Sequence, residues 1–81
     1  MERFTVEVCC LNSPGVLHRI AGVYAKSKVN ILSLHLEETS NSELSRLFIT
    51  ACGSLEFRLH LVRLLARLYD VKSVSLNNSF R

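Results

Sequence analysis

The spacing of apolar residues along this chain reads strand, helix, strand, strand, helix, strand, and that order restricts the fold more than any other feature. Residues 3–11 alternate, with Phe4, Val6, Val8 and Cys10 on one face and Arg3, Thr5, Glu7 and Cys9 on the other, as in a half-buried strand. Asn12-Ser13-Pro14-Gly15 stops it. A helix is predicted over residues 14–27, with Ser13 as N-cap and Pro14 at the first helical position, where a missing N–H costs nothing. Its apolar stripe is Val16, Ile20, Val23 and Ser27, flanked by Leu17 and Tyr24, while His18, Arg19 and Lys26 fall outside it. Gly22 inside this helix implies a close approach by another backbone.

Two strands are predicted next, over residues 30–37 and 44–52, joined by the polar turn Glu38-Thr39-Ser40-Asn41-Ser42. In the first, Leu32, Leu34 and Leu36 alternate with Ile31, Ser33 and His35. In the second, Ser45, Leu47, Ile49 and Ala51 oppose Leu44, Arg46, Phe48 and Thr50. Ser54 then caps a helix over residues 55–69 whose polar positions Glu56, His60, Arg63 and Arg67 form one narrow stripe. Nearly everything else on it is apolar, more than one sheet face can cover. Residues 71–76 make a last strand, so a single domain is expected over residues 1–77 with a polar tail at 78–81. Right-handed crossovers turn this order into an α+β, ferredoxin-like βαββαβ fold, a four-stranded antiparallel sheet with both helices on one face. Phe48 is expected on the bare face, as a docking feature.

Composition narrows the function classes. A chain of 81 residues hides only about 60–65% of its unfolded surface. With 48% hydrophobic residues and no staple, part of its apolar surface is expected to be buried against a partner. The net charge of +3 is mild and its cations are scattered, unlike the basic stripe of a nucleic-acid binder. The third strand also lacks the aromatic platforms of an RNA-recognition module, so no nucleic acid is expected. Cys9 and Cys10 point to opposite faces and cannot chelate one ion together, so metal carriage is not expected. His18, His35 and His60 fall on three different elements, and Glu37 and Glu38 diverge, so no catalytic constellation assembles. An odd count of three cysteines and the lack of an apolar run of about 18 residues indicate a reduced, cytoplasmic protein that does not enter a membrane.

The Asn12-x-Pro14-Gly15 turn ends a strand and opens a helix, where the N–H groups of Gly15, Val16 and Leu17 lack intrahelical partners. Such a start attracts anions, a carboxylate above all, and glycine lets a ligand approach the backbone. An ordinary, well-capped strand-to-helix turn explains the same residues, and local signal leaves both readings open.

The block Asn12-Ser13-Pro14-Gly15-Val16-Leu17-His18-Arg19-Ile20-Ala21-Gly22-Val23 resembles the opening of ACT domains, in particular those of the small regulatory subunit of acetolactate synthase (acetohydroxyacid synthase). The resemblance continues through Asn30-Ile31-Leu32-Ser33-Leu34, Leu44-Ser45-Arg46 and Leu65-Ala66-Arg67-Leu68-Tyr69-Asp70-Val71, in the family's order. It implies a homodimer made by side-by-side pairing of two sheets, which would bury the apolar surplus of the second helix and the face at Gly22. It also implies a branched-chain amino acid effector (valine, leucine or isoleucine) at the interface. The effector carboxylate would meet Gly15, Val16 and Leu17, and its ammonium group the side-chain oxygen of Asn12 or Asn30. Asn30 and Ile31 would come from the second protomer, with Ile31 and Leu34 as pocket wall. The partner would be the large catalytic subunit carrying thiamine diphosphate, FAD and magnesium, and this chain, not itself an enzyme, would need no cofactor. A free-standing ACT module sensing an amino acid for another enzyme or a transcription regulator is the alternative.

Three departures from the family stand out. Lys28 occupies the usual glycine position at the end of the first helix, so it either takes positive φ or the turn differs. Leu32 replaces a usual Glu. The sequence stops soon after Leu76, where longer members carry another domain, as a natural short form or a cut piece would.

Overall fold

A computed structural model describes residues 2–77 of the chain, and the expected tail at 78–81 lies outside them. The elements are β1 (Glu2–Leu11), α1 (Val16–Lys26), β2 (Ile31–Glu38), β3 (Leu44–Gly53), α2 (Leu55–Ala66) and β4 (Val71–Asn77). They form one sheet of order β2-β3-β1-β4, every neighbouring pair antiparallel, as the element order predicts.

The alternation in β1 decides which face is filled. Phe4, Val6, Val8 and Cys10 stand opposite Ala51, Ile49, Leu47 and Ser45 across the β1–β3 ladder, and all eight are buried. Val16, Ile20 and Tyr24 of α1 and Leu61 and Leu65 of α2 close over them. Each fully buried aliphatic or aromatic side chain contributes roughly 1.5–3 kcal/mol. Tyr24 therefore belongs to the core, whereas Leu17 remains 45% exposed. The Tyr24 hydroxyl is buried without a hydrogen-bond partner, and burial pushes its phenol well above the ordinary 10.0.

On the opposite face the sheet carries polar pairs. Thr5 Oγ1 lies 2.8 Å from Thr50 Oγ1, and Arg46 Nε meets Glu7 Oε2 at 3.2 Å. Phe48 is on this bare face, as its register predicts, but it is only 9% exposed, with the His35 ring 6.1 Å away. A flanking strand covers it, so it is not the exposed docking aromatic that alternation alone suggests.

Four further expectations change. Helix α1 begins at Val16 and not at Pro14, and its N-cap is Gly15 and not Ser13, because Gly15 sits at φ 86, a left-handed conformation incompatible with a helix running through it. A Cβ placed on Gly22 meets nothing within 4 Å, so among the described residues nothing beyond its own helix turn approaches it closely. In β2 the register shifts between Ile31 and Ser33, which brings Ile31, Leu34 and Leu36 opposite Ala51, Ile49 and Leu47 on the helix side of the sheet. Strict alternation had set Ile31 against Leu34 and Leu36; the bulge reverses it. Helix α2 stops at Ala66, three residues early, with Arg67 as C-cap, although Ser54 Oγ accepts from Phe57 N at 3.2 Å as predicted.

Arg58 is a buried cation that the amphipathic pattern conceals. It is 6% exposed, its Cζ lies 5.1 Å from the centre of the Phe4 ring, and Nη2 donates to Gly53 O at 3.5 Å. Glu56, His60, Arg63 and Arg67 are exposed as expected. So are Leu55 and Leu59, at 62% and 50%, which confirms that the sheet cannot cover this helix.

Lys28 resolves the question of the α1 end. It adopts φ 59; its N–H donates to Ala25 O at 3.0 Å and the Val29 N–H to Tyr24 O at 3.2 Å. Those two bonds make a Schellman motif with lysine where glycine is usual.

Candidate functional site

The β1–α1 turn is anchored from both flanks. At the end of β1, Leu11 N donates to Asp70 O, and Asn12 N donates to Glu43 O, each at 2.8 Å. The Asn12 amide Nδ2 reaches Ser42 O at 3.4 Å, which leaves its oxygen turned to accept. Pro14 and Gly15 then reverse the chain, and no side chain caps α1.

Of the three N–H groups expected to face a carboxylate, one is already engaged. Val16 N donates to Ser13 O at 3.3 Å inside the turn, and its side chain is in the core at 4% exposure. Gly15 and Leu17 are exposed. The turn's charge comes from a residue the apolar pattern assigned to solvent. Arg19 Nε pairs with Asp70 Oδ2, the carboxylate almost buried and the guanidinium half exposed. A Cβ built on Gly15 would stand 3.0 Å from Arg19 Nη1, so the guanidinium lies alongside the helix start. Periodicity cannot reveal this pair, because its partners are 51 residues apart and meet only through the sheet register.

Asn12, Ser13, Val16, Leu17, Leu36 and Leu47 border a hollow of about 60 Å³ together with Cys10, Leu11 and Ser45. Ligand sites usually begin at roughly 300 Å³. In one chain, the turn is a fragment of a pocket.

The other predicted half lies far away. Ile31 pairs with Ala51, whereas Asn12 follows Leu11, which pairs with Leu44. Seven residues of β3 separate those points, roughly 23 Å at about 3.3 Å per residue. The structure thus brings Asn12, Gly15, Val16 and Leu17 together and holds Asn30 and Ile31 at the opposite end of the sheet.

Between those ends runs a free sheet edge. Leu32, Leu34 and Leu36 of β2 are 48%, 39% and 53% exposed, and Leu17 adjoins Leu36. The other edge, β4, shows Lys72, Ser73 and Ser75 to solvent, the polar pattern that discourages strand addition.

His18, His35 and His60 lie on α1, β2 and α2, and among the described residues no three His, Cys, Asp or Glu gather to hold a metal ion. Cys9, Cys10 and Cys52 are free thiols, and burial pushes the Cys10 thiol up. No helix among the described residues is long and apolar enough to cross a membrane.

A βαββαβ domain with two helices on one sheet face, a glycine-led helix start and an apolar edge defines an ACT-type module. Residues 6–73 match the AHAS small subunit-like ACT domain, and the chain belongs to that family. It is 33% identical over 73 residues to a probable acetolactate synthase small subunit of Archaeoglobus fulgidus, covering 90% of this chain and 46% of that protein. The crystal structure of the acetolactate synthase small subunit of Thermotoga maritima superposes with a TM-score of 0.85 at 26% identity, covering 94% of this chain and 47% of that one. The ACT domain of a Chlorobium tepidum GTP pyrophosphokinase shares the fold, with a TM-score of 0.80 at 15% identity over 98% and 89% of the two chains. The chain spans about half the length of the two small subunits it matches.

Proposed function

We propose that this domain is a regulatory module of an acetolactate synthase, and that two copies together bind a branched-chain amino acid. One observation supports the reading: the candidate residues Asn12–Leu17 and Asn30–Ile31 lie toward opposite ends of a sheet whose edge strand β2 is apolar and exposed, roughly 23 Å apart by strand rise. A two-fold axis that pairs β2 with β2 of a second copy runs the strands antiparallel. It sets Asn12–Leu17 of each chain beside Asn30 and Ile31 of the other.

Each group then has a task. The Gly15 and Leu17 N–H groups, with Arg19 beside them, meet the effector carboxylate, and the oxygen of Asn12 or Asn30 accepts from its ammonium group. Leu17, Leu34 and Leu36 supply the apolar wall and the dimer contact. Helix α2 packs on β4, at the side of the sheet away from β2, so this pairing covers Leu17, Leu32, Leu34 and Leu36 and leaves Leu55 and Leu59 outside it. The catalytic subunit, in the cytoplasm, carries thiamine diphosphate, FAD and magnesium. An effector that binds one dimer arrangement better than another changes the activity of that subunit by its differential affinity.

Complementation tests the shared site. Asn12→Ala and Asn30→Ala should each abolish valine, leucine or isoleucine binding in isothermal titration. Mixed dimers of the two variants should regain one intact site, because Asn12 of one chain then faces Asn30 of the other. No recovery in a mixture shown by light scattering to be dimeric would refute the reading. Saturable binding with no catalytic subunit recovered from the native source would favour a free-standing sensor.

A further inference from the structure

Helix α2 carries a second apolar surface, which β2 pairing leaves uncovered. Its core side is Arg58, Leu61 and Leu65. At 3.6 residues per turn, Leu55, Leu59, Val62 and Ala66 fall on a different line, roughly a quarter-turn around the helix. Leu55, Leu59 and Ala66 are exposed and Val62 is half-buried. Their spacing of four, three and four residues is that of a coiled-coil seam, the a and d positions of a heptad. On the opposite flank, Phe57 borders the hollow that it shares with Lys28 and Leu32, toward the end of α1. The seam therefore faces away from α1 and β2, on the side of β4, whose polar edge is unsuited to strand addition.

Two charges border the seam. Glu56 and Arg63 each follow a d position, both are exposed, and among the described residues neither enters an ion pair. In a parallel pair of helices, e positions face the g positions of the other chain. The g positions here are Arg58 and Leu65, both buried in the core, so neither charge would gain a partner. In an antiparallel pair e faces e, and Glu56 of each chain meets Arg63 of the other. A two-fold axis between Leu59 and Val62 also sets large against small, Leu59 on Val62 and Leu55 on Ala66 of the second copy. Charge and volume thus both match in one arrangement, and it is self-complementary.

We propose that a second copy of this chain docks on α2 in antiparallel register, through the Leu55–Leu59–Val62–Ala66 seam and two Glu56–Arg63 pairs. This pairing does not depend on the one through β2. With both, each chain has two self-complementary surfaces and assembly proceeds beyond the dimer.

The test is sedimentation equilibrium of the full 81-residue chain over a concentration series. Three helical turns make a small interface, so the association is concentration-dependent. Leu36→Lys, at an exposed edge position, disables β2 pairing and lets α2 association read as a monomer–dimer equilibrium. Adding Leu59→Glu should weaken that equilibrium at least roughly tenfold, with helix content by circular dichroism unchanged. Glu56→Arg or Arg63→Glu should each weaken it roughly threefold or more, most at low salt, and the double reversal should restore it. Wild type and Leu36→Lys that sediment alike would refute β2 pairing and leave the α2 proposal to be read from Leu59→Glu. Self-association that Leu59→Glu leaves unchanged, or a double reversal no better than the single ones, would overturn the proposal. A catalytic subunit retained by wild type but lost by Leu59→Glu, with self-association unchanged, would assign the face to that subunit instead.

Discussion

The chain uses positive φ at both ends of α1 with opposite chemistry, glycine at 15 and lysine at 28, so two substitutions should move stability in opposite directions. A left-handed conformation costs a side chain with a Cβ roughly 1–2 kcal/mol. Glycine loses about 0.5–1 kcal/mol of that advantage through its larger unfolded-state entropy. Lys28→Gly should therefore stabilise the fold by about 0.5–1 kcal/mol, and Gly15→Ala should destabilise it by about 1 kcal/mol. The new Cβ at 15 meets the tip of the Arg19 side chain at 3.0 Å, which can swing aside and adds little. For a domain of this size, 1 kcal/mol shifts the midpoint by about 4–8 °C. Circular dichroism melts at one protein concentration should show the lysine variant up by about 2–8 °C and the glycine variant down by about 4–8 °C. The sites are about 20 Å apart along α1, at 1.5 Å per residue, so the double variant should fall near the sum. Lys28→Asn should lie between wild type and glycine, since asparagine tolerates this region best after glycine. A lower midpoint for Lys28→Gly, with the helix intact, would refute the strain argument at position 28.

Asp70→Asn keeps the shape of a buried carboxylate but removes the charge facing Arg19. It should cost about 2 kcal/mol in urea denaturation, between the values for exposed and fully buried pairs. Tyr24→Phe deletes a buried hydroxyl that has no partner and should stabilise by about 1 kcal/mol in the same assay. Burial raises the Cys10 thiol and the Tyr24 phenol above 9.0 and 10.0, so the folded chain holds protons that the unfolded chain releases. Their contribution is complete below those unfolded values and is lost as pH rises toward the folded ones, so stability should fall progressively above about pH 9 and fall less in Cys10→Ala/Tyr24→Phe. Gly22→Ala fills open space in a helix, and should raise stability by about 1 kcal/mol while weakening self-association measured by sedimentation, the second effect marking Gly22 as a contact with another copy.

Local signals carried the element order, the core face of β1 and β3 and the Ser54 cap, because each depends on spacing within one segment. Where the pattern misled, the deciding interaction was between segments or in a backbone angle. Ser13-Pro14 looks like a sound helix opening, yet Gly15 at φ 86 moves the start to Val16. Three alternating leucines imply a regular β2, but a bulge after Ile31 moves Ile31 to the side of Leu34. Arg58 occupies the phase of Leu61 and Leu65, so its burial was legible from spacing had charge been set aside, and the Phe4 ring beside it makes that burial tolerable.

The candidate site divides along the same line. Asn12, Gly15 and Leu17 were legible because a glycine-led helix start is a local motif, whereas Arg19 was not, because Asp70 reaches it only when β4 lies beside β1. That pair ties the helix start to the α2–β4 turn, and Leu11 N on Asp70 O ties the same turn to the end of β1. A ligand that draws on the Arg19 guanidinium must therefore compete with, or share, a carboxylate fixed at the joint of three elements. In the proposed regulatory module, an effector carboxylate that drew on Arg19 would act on the joint of β1, α1 and the α2–β4 turn, the kind of differential contact through which a ligand shifts an equilibrium between two arrangements.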